Sequence, residues 1–233
     1  MSRPYETLVL EQTTSTQDEV RRRIDSRPVL VVAGSQTRGR GRTGADWVNA
    51  PRALAASIGF RPAWPSPWWP VITLVAGVAA LRSLGGAAAG LTLKWPNDLM
   101  KGDDKLGGIL TEASGGSVIV GWGANLHWPD APSGRDAVYP SDPGPDAALG
   151  IAGRWAAGLL EFMASGPQDW PYHDYRRRCS TLGREITWNP NGRGRAVDIS
   201  PEGGLVVATP AGRITLVSGS VSEVRRHGKP GAV

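Results

Sequence analysis

The feature that most restricts the fold is residues 93–128, LKWPNDLMKGDDKLGGILTEASGGSVIVGWGANLHW. A strand ends at Trp95, a Pro-Asn-Asp turn and a Lys/Asp-rich turn follow, and the strand KLGGILTEAS folds back through Gly-Gly onto the strand SVIVGWGANLHW. Paired glycines between alternating runs mark a hairpin, because its tight turn needs positive φ at the centre. The block therefore belongs to a sheet whose polar residues collect at strand ends.

The flanking segments extend that sheet and clothe it. ETLVLEQ reads as a first strand, and TTSTQDEVRRRI opens a helix in which Thr16 and Glu19 fit a capping box. Ser15, Thr16 and Gln17 are thereby placed at a strand-to-helix junction. PVLVVAGS (28–35) and ALAASIGF (53–60) are further strands, RPAWPSPWWP leads into an apolar helix from Val71 to Leu84, and GGAAAG ends it. After the loop PSGRDAVYPSDPGPD come an amphipathic helix, AALGIAGRWAAGLLEFMAS, and a second helix from Trp170 to about Thr181. Past Leu182 the pattern changes to short alternating runs, REITWN, RGRAVDIS, GLVVATP and GRITLVSGSVSEVRR, which predict a small β-barrel. Residues 1–181 and 182–226 are thus read as two domains, with 227–233 as a disordered tail.

Between two of the strands lies QTRGRGRTGADW, in which Gly39, Gly41 and Gly44 fit the G-x-G-x-x-G spacing of dinucleotide-binding loops. That fingerprint requires the third glycine to open a helix whose amides hold the pyrophosphate. Here Trp47, Asn49 and Pro51 interrupt any helix, and the carboxylate expected about 20 residues on is missing. What remains is Arg38, Arg40 and Arg42 on a backbone loosened by glycine. Guanidinium forks match carboxylate and phosphate oxygens, so the segment from Arg38 to Asp46 can close on an anion and reopen, although the loop by itself reads more readily as a solvated basic hairpin turn.

Charge usage points the same way. The net charge is +5, yet basic residues alternate with acids along the chain instead of clustering. The chain has four lysines against 22 arginines, and Lys94, Lys101 and Lys105 fall within twelve residues, either as chance neighbours or because a compact ammonium is needed there where a guanidinium does not serve. The single cysteine, Cys179, excludes an intramolecular disulfide, and His127, His173 and His227 are too scattered for a nucleophile's partner or a metal cluster. No signal peptide is visible at the N-terminus, and the apolar run PVITLVAGVAAL is too short for a bilayer, so the chain is read as cytoplasmic and without a membrane partner. An Asn97-Asp98 pair, Lys105 before Gly107 and Gly108, and Asn125 beside glycine, together with the arginines, suit a ligand both anionic and polar.

With these motifs assembled the chain resembles the biotin protein ligases. GRGRTGADW (Gly39 to Trp47), KWPND (Lys94 to Asp98), KLGGIL followed two residues later by Glu112, and GWGAN (Gly121 to Asn125) stand in that family's order and spacing, and STQ at Ser15 to Gln17 fits as well. The resemblance implies an α+β fold: a mixed β-sheet catalytic domain of the biotin/lipoate-ligase type packed with helices, plus a small C-terminal SH3-like β-barrel. It implies that biotin and ATP, with Mg²⁺, condense to biotinyl-5′-AMP with loss of pyrophosphate. Biotin then passes to a lysine of a carboxylase's biotin carrier domain, with no covalent enzyme nucleophile.

The same resemblance assigns roles. Ser15, Thr16, Gln17, Gln36, Gly39, Gly108, Gly121 and Gly123 surround biotin, and Arg40 and Lys105 meet its carboxylate. Arg42, Trp47, Lys94, Asn97, Asn125 and Arg225 face the nucleotide, with Trp47 as an aromatic lid beside adenine. Lys105, Arg40, Arg42 and Asp98 are the catalytic set, Asp98 either orienting Mg²⁺ or positioning the acceptor lysine. Two departures stand out. The family often carries a second arginine after the glycine corresponding to Gly44, where this chain has Ala45 and Asp46. Some members also bear an N-terminal winged-helix DNA-binding domain, whereas this chain starts at the catalytic strand, so no DNA partner is expected and a homodimer is allowed. The nearest enzyme alternative is a lipoate protein ligase. From another class, a basic nucleic-acid-binding module is compatible with the sequence pI of about 9.8.

Overall fold

The computed structural model of the chain describes residues 4–42, 47, 50–217, 219 and 221–223. The expectations for Gly44, Ala45, Asp46, Arg225 and the tail from 227 lie outside those residues.

Seven strands form one mixed sheet: β1 (Glu6–Thr13), β2 (Val29–Gln36), β3 (Arg52–Phe60), β4 (Leu91–Lys94), β5 (Asp98–Lys101), β6 (Asp104–Ser114) and β7 (Ser117–His127). Their spatial order is β1-β2-β3-β7-β6-β5-β4. Only β1 and β2 pair in parallel, because α1 (Thr16–Arg23) provides the crossover that lets the chain return in the same direction. Every other neighbour is antiparallel. The Gly115-Gly116 turn between β6 and β7 takes φ of +57° and +77°, the left-handed geometry for which glycine is needed. A strand the sequence reading passed over is β5: Asp98–Lys101 is short and charged at both ends, but its Leu99 and Met100 are buried between β4 and β6.

The two faces of this sheet have different covers. On one, α2 (Trp69–Leu84) and α3 (Ala147–Ala164) pack over β3, β6 and β7, with Trp155 against Trp122 and its indole N–H donated to the Ala76 carbonyl. The helical run Ser66–Ala88 exceeds the apolar core visible in the sequence and is long and apolar enough to cross a membrane, but 72% of that window is buried inside the fold. It is the core helix of the large sheet. On the other face lies α1, whose Val20 and Ile24 sit directly on Gly59 of β3. A Cβ at Gly59 would come within 2.4 Å of Val20, so this glycine is what lets the helix approach.

The expected capping box is not formed. Ser15 is the N-cap and Thr16 already the first helical residue; Glu19 accepts from the Thr13 hydroxyl and pairs with Arg22 and Arg23. Local pattern suggested a cap, but the Thr16 hydroxyl finds tertiary partners instead. The second helix of the helical pair is also shorter than expected, α4 running Tyr172–Arg178.

A second, antiparallel sheet comprises β8 (Glu185–Trp188), β9 (Gly192–Ile199), β10 (Leu205–Thr209), β11 (Gly212–Leu216) and β12 (Val221–Glu223), ordered β11-β10-β9-β8-β12. Among the described residues no ladder joins β11 to β12, so the SH3-like unit is an open five-stranded sheet and not a closed barrel. It docks on the first sheet through Trp95, Trp170 and Tyr172, which donate to the carbonyls of Gly203, Pro201 and Ile199.

Candidate active site

The site lies on the α1 face of the large sheet, and its floor is made of glycine. Gly121 and Gly123 of β7 share that face, because side chains alternate along a strand, while Trp122 between them belongs to the core on the other side. Gly121 is registered with Ser57 and with Leu110, and Gly123 with Gly108. The neighbours of these glycines explain the missing side chains. A Cβ at Gly121 would lie 3.2 Å from the Ser57 hydroxyl and 3.3 Å from Gln17, one at Gly123 would lie 3.1 Å from the Trp47 ring, and one at Gly108 would meet Asp98 and Lys105. A pocket of about 240 Å³ opens above this floor.

One end of the pocket is a compact cluster of neutral polar groups at the start of α1. Gln36 presents its carbonyl to both the backbone N–H (2.8 Å) and the hydroxyl (3.1 Å) of Thr16, and that hydroxyl lies 2.8 Å from the Ser57 hydroxyl. Gln17 donates to the Leu110 carbonyl at 2.9 Å. Ser15, Thr16, Gln17 and Ser57 are all nearly inaccessible. The Ser15 hydroxyl does not cap its helix and has no partner among the described residues, which leaves it for a ligand. Buried groups of this kind must be hydrogen-bonded, so an occupant here has to bring complementary donors and acceptors.

The other end, two residues or about 7 Å along the strands, is charged. Lys105 donates to Asp98 at 2.5 Å, beside Gly108. Arg42 reaches Asn97 at 3.2 Å and the Gly219 carbonyl of the small sheet's last connection, also at 3.2 Å. Arg40 is turned outward, forming a two-pronged pair with Asp18 of α1 at 3.1 and 2.8 Å. The Arg40 hydrogen bond holds the Asp18 carboxyl below the usual carboxylate range, and Asp18 in turn raises the guanidinium. Trp47 lies over Gly123 with its backbone bonded to Gly39, and its indole N–H is buried with no partner among the described residues. Arg135, from the 129–145 connection, completes the wall.

Most of the residues singled out in the sequence meet here: Ser15, Thr16, Gln17, Gln36, Arg40, Arg42, Trp47, Asn97, Asp98, Lys105, Gly108, Gly121 and Gly123 all line this pocket. Gly39 lies just behind, its Cβ position between Trp47 and Gln36. Two do not join them. Lys94 sits on β4, the outermost strand, and lines a broader cleft toward the small sheet with Arg184, Glu185 and Arg195. Asn125 is 1% exposed, its amide donating to the Asp136 carbonyl and its side-chain carbonyl oxygen without a partner among the described residues. It fixes the 129–145 connection beneath the pocket wall. The sequence reading missed Ser57 and Arg135. Ser57 had one signal, being a lone hydroxyl in an otherwise apolar strand; Arg135 sat in what read as a plain loop.

No group of three or more His, Cys, Asp or Glu able to hold a metal occurs among the described residues. Asp98 is a single carboxylate already paired with Lys105, so a divalent ion there would draw its remaining ligands from phosphate and water.

The comparisons agree with this geometry. Residues 9–125 match the biotin/lipoate A/B protein ligase family, and 181–222 match the biotin protein ligase C-terminal domain. A biotin--[acetyl-CoA-carboxylase] ligase of Mycobacterium tuberculosis is 31% identical over 93% of this chain and 88% of its own length. One from Paracoccus denitrificans is also 31% identical, over 82% and 88%. Among solved structures, the biotin protein ligase of Aquifex aeolicus in complex with biotin and ATP superposes with a TM-score of 0.78 at 25% identity, covering 95% of this chain and 99% of that one. With a family match over residues 9–125 and a relative 31% identical along nearly its whole length, the chain belongs to the biotin/lipoate A/B protein ligase family.

Proposed function

We infer that the chain is an ATP-dependent biotin ligase: it makes biotinyl-5′-AMP and pyrophosphate, then hands biotin to a lysine of a carrier domain. One observation carries the reading. The neutral amide-and-hydroxyl cluster of Thr16, Gln36 and Ser57 and the Lys105–Asp98 pair occupy two ends of one pocket, as a polar ureido ring and a carboxylate occupy the two ends of biotin. A lipoate has no ureido ring to satisfy the polar end, which disfavours that alternative.

In the first step a biotin carboxylate oxygen attacks the α-phosphorus of ATP, an O–P bond forms, and the bond to pyrophosphate breaks. Negative charge moves toward the leaving oxygens, and fixed cations aimed at that charge lower the barrier. Lys105 is placed to do this as a point charge that follows the rearranging oxygens, with Asp98 holding its ammonium in position. Arg42 and Asn97 hold the nucleotide side, and Arg40 swings from Asp18 onto the anion. Trp47, already over Gly123, shields the adenylate from water. In the second step the acceptor lysine's neutral amine attacks the acyl carbon, the C–O bond to the phosphate breaks and AMP leaves; Asp98, the carboxylate lining the pocket, receives the proton that the nitrogen loses. Asp98 would offer one ligand to a Mg²⁺ ion carried by the ATP phosphates, and that ion would neutralise part of their charge. Residues 1–181 carry this chemistry, and the small domain that follows supports it from outside the pocket through the Gly219 carbonyl, which accepts from Arg42. The acceptor is a carrier domain of a biotin-dependent carboxylase in the cytoplasm, where the buried thiol of Cys179 stays reduced. The test is capture of labelled biotin on a purified carrier domain, dependent on ATP and accompanied by release of AMP and pyrophosphate. Labelling by lipoate in place of biotin, or none at all, defeats the reading.

A further inference from the structure

Four cations face the pocket, and three of them are engaged: Arg40 with Asp18, Arg42 with Asn97 and Gly219, Lys105 with Asp98. The fourth, Arg135, is half-buried in the wall and its guanidinium has no hydrogen bond or ion pair among the described residues. Keeping a partly buried cation without a counter-charge is unfavourable, and a bound anion would reverse that.

Its backbone is held with unusual firmness for a loop. The β5–β6 ladder shifts register between Leu99 and Met100, which turns the Lys105 backbone outward to pair with the connection. Lys105 N–H donates to the Gly134 carbonyl at 3.0 Å, and Asp136 N–H to the Lys105 carbonyl at 3.3 Å. Asp136 is pinned by Asn125 through its carbonyl, by Ala137 N–H through its carboxylate, and by Lys101 at 2.9 Å. Val138 and Tyr139 N–H groups then bond to Asn125 and Leu126 of β7. Arg135 is therefore clipped to the same backbone that carries Lys105, so the two charges keep a fixed relation.

Its neighbours say which oxygens it meets. Ser133 and Gly134 line the broad cleft between the two sheets, while Arg135 lines the deep pocket. Arg135 thus marks the divide between the reacting centre and the open exit. We propose that Arg135 binds the departing end of ATP, the β- and γ-phosphates that leave as pyrophosphate, and not the α-phosphate retained in biotinyl-AMP. This rests on the biotin-ligase reading above.

The test compares wild type with Arg135→Gln and Arg135→Lys. Loss of one charge-assisted phosphate contact should raise KM for ATP about tenfold in Arg135→Gln, with partial rescue by lysine, which keeps the charge but not the fork. The KM for pyrophosphate in the reverse reaction should rise in the same ratio, while biotin affinity and the dissociation rate of biotinyl-AMP stay at wild-type values. Unchanged ATP and pyrophosphate constants, or biotinyl-AMP lost faster from Arg135→Gln than from wild type, would overturn the assignment. Calorimetric binding of pyrophosphate alone keeps the two readings apart, since it needs no reaction. A wild-type chain that binds pyrophosphate more tightly than Arg135→Gln but makes no biotinyl-AMP would sink the ligase reading and leave the contact standing; equal binding by both chains would sink the contact.

Discussion

The residue with most at stake is Lys105. In a chain that prefers arginine, Lys105 lies beside Gly108 and is held by Asp98, and in the proposed reaction it meets the anion whose oxygens move. Lys105→Ala should lower the rate of biotinyl-AMP formation about 100-fold, the scale of removing one donor from a developing charge. Single-turnover measurement near the wild-type rate would disprove the assignment. Arg40 raises a different question, because Asp18 competes for it. The pair is about a third exposed, so it is worth little, and Asp18→Asn should improve KM for the anionic substrates only two- to fivefold or so. The pH dependence follows from the sign of the shift. Arg40 depresses the Asp18 carboxyl, so the pair is fully present above the ordinary carboxylate range and is lost only as pH falls through that lowered value. The difference between wild type and variant should therefore stay constant between about pH 6 and 8, and steady-state kinetics across that range would show it; a difference that titrates near neutrality would implicate another group. Sequence pattern exposed Lys105 and the arginines because their chemistry is local. It could not expose Arg135 or the true partners of Thr16, since those depend on which strands are neighbours.

Elements explain why so much of the site was nonetheless readable. The pocket is built at strand ends and on one strand face, so the motifs KWPND, KLGGIL and GWGAN each give it some of their residues: Asn97 and Asp98, Lys105 and Gly108, Gly121 and Gly123. Where the mapping broke, geometry beyond the single strand decided: Lys94 is on the outermost strand and turns to another cleft, and β5 was hidden by its length and charge. The glycines on β6 and β7 separate two kinds of constraint that look alike in sequence. A Cβ at Gly107 would stand 2.5 Å from the Gly123 carbonyl oxygen, a backbone atom of the adjacent strand that cannot move aside. A Cβ at Gly121 would meet only the side chains of Ser57 and Gln17, at 3.2 and 3.3 Å. Gly107→Ala should therefore lose about 1–3 kcal/mol of stability, an overpacking cost that calorimetry reads as a lower melting temperature. Gly121→Ala should melt near the wild-type temperature yet bind biotin at least tenfold more weakly or so, because the methyl displaces the polar end of the pocket. Equal losses of stability in the two variants would mean that the Gly121 contact is as rigid as the Gly107 one.

At the scale of the whole molecule, the small sheet contributes to the pocket without entering it. One hydrophobic cluster runs continuously from Val71 and Leu74 of α2 into Ile199, Leu205 and Val207 of the small sheet, and Trp95 bridges them through its bond to the Gly203 carbonyl. The same sheet offers the Gly219 carbonyl to Arg42, so its seating is transmitted to a cation of the site. Gly203 is the point at which this can be tested from a distance. Its φ is +82°, and a Cβ would lie 3.0 Å from Leu74 and 3.3 Å from Val71, so Gly203→Ala combines a strained backbone with a crowded junction. The left-handed conformation alone costs roughly 1–2 kcal/mol for a residue with a side chain, which in a chain of this size lowers the melting temperature by roughly 2–8 °C. The functional consequence should be selective. Thr16, Gln36 and Ser57 belong wholly to the large sheet, so biotin alone should bind as in wild type, whereas Arg42 loses part of its support and KM for ATP should rise several-fold. Titrating biotin in the absence of nucleotide, beside steady-state kinetics with ATP varied, separates these effects. A variant that loses both affinities together would show that the small sheet holds the pocket's shape as a whole, and one that loses neither would show that Arg42 needs no help from Gly219.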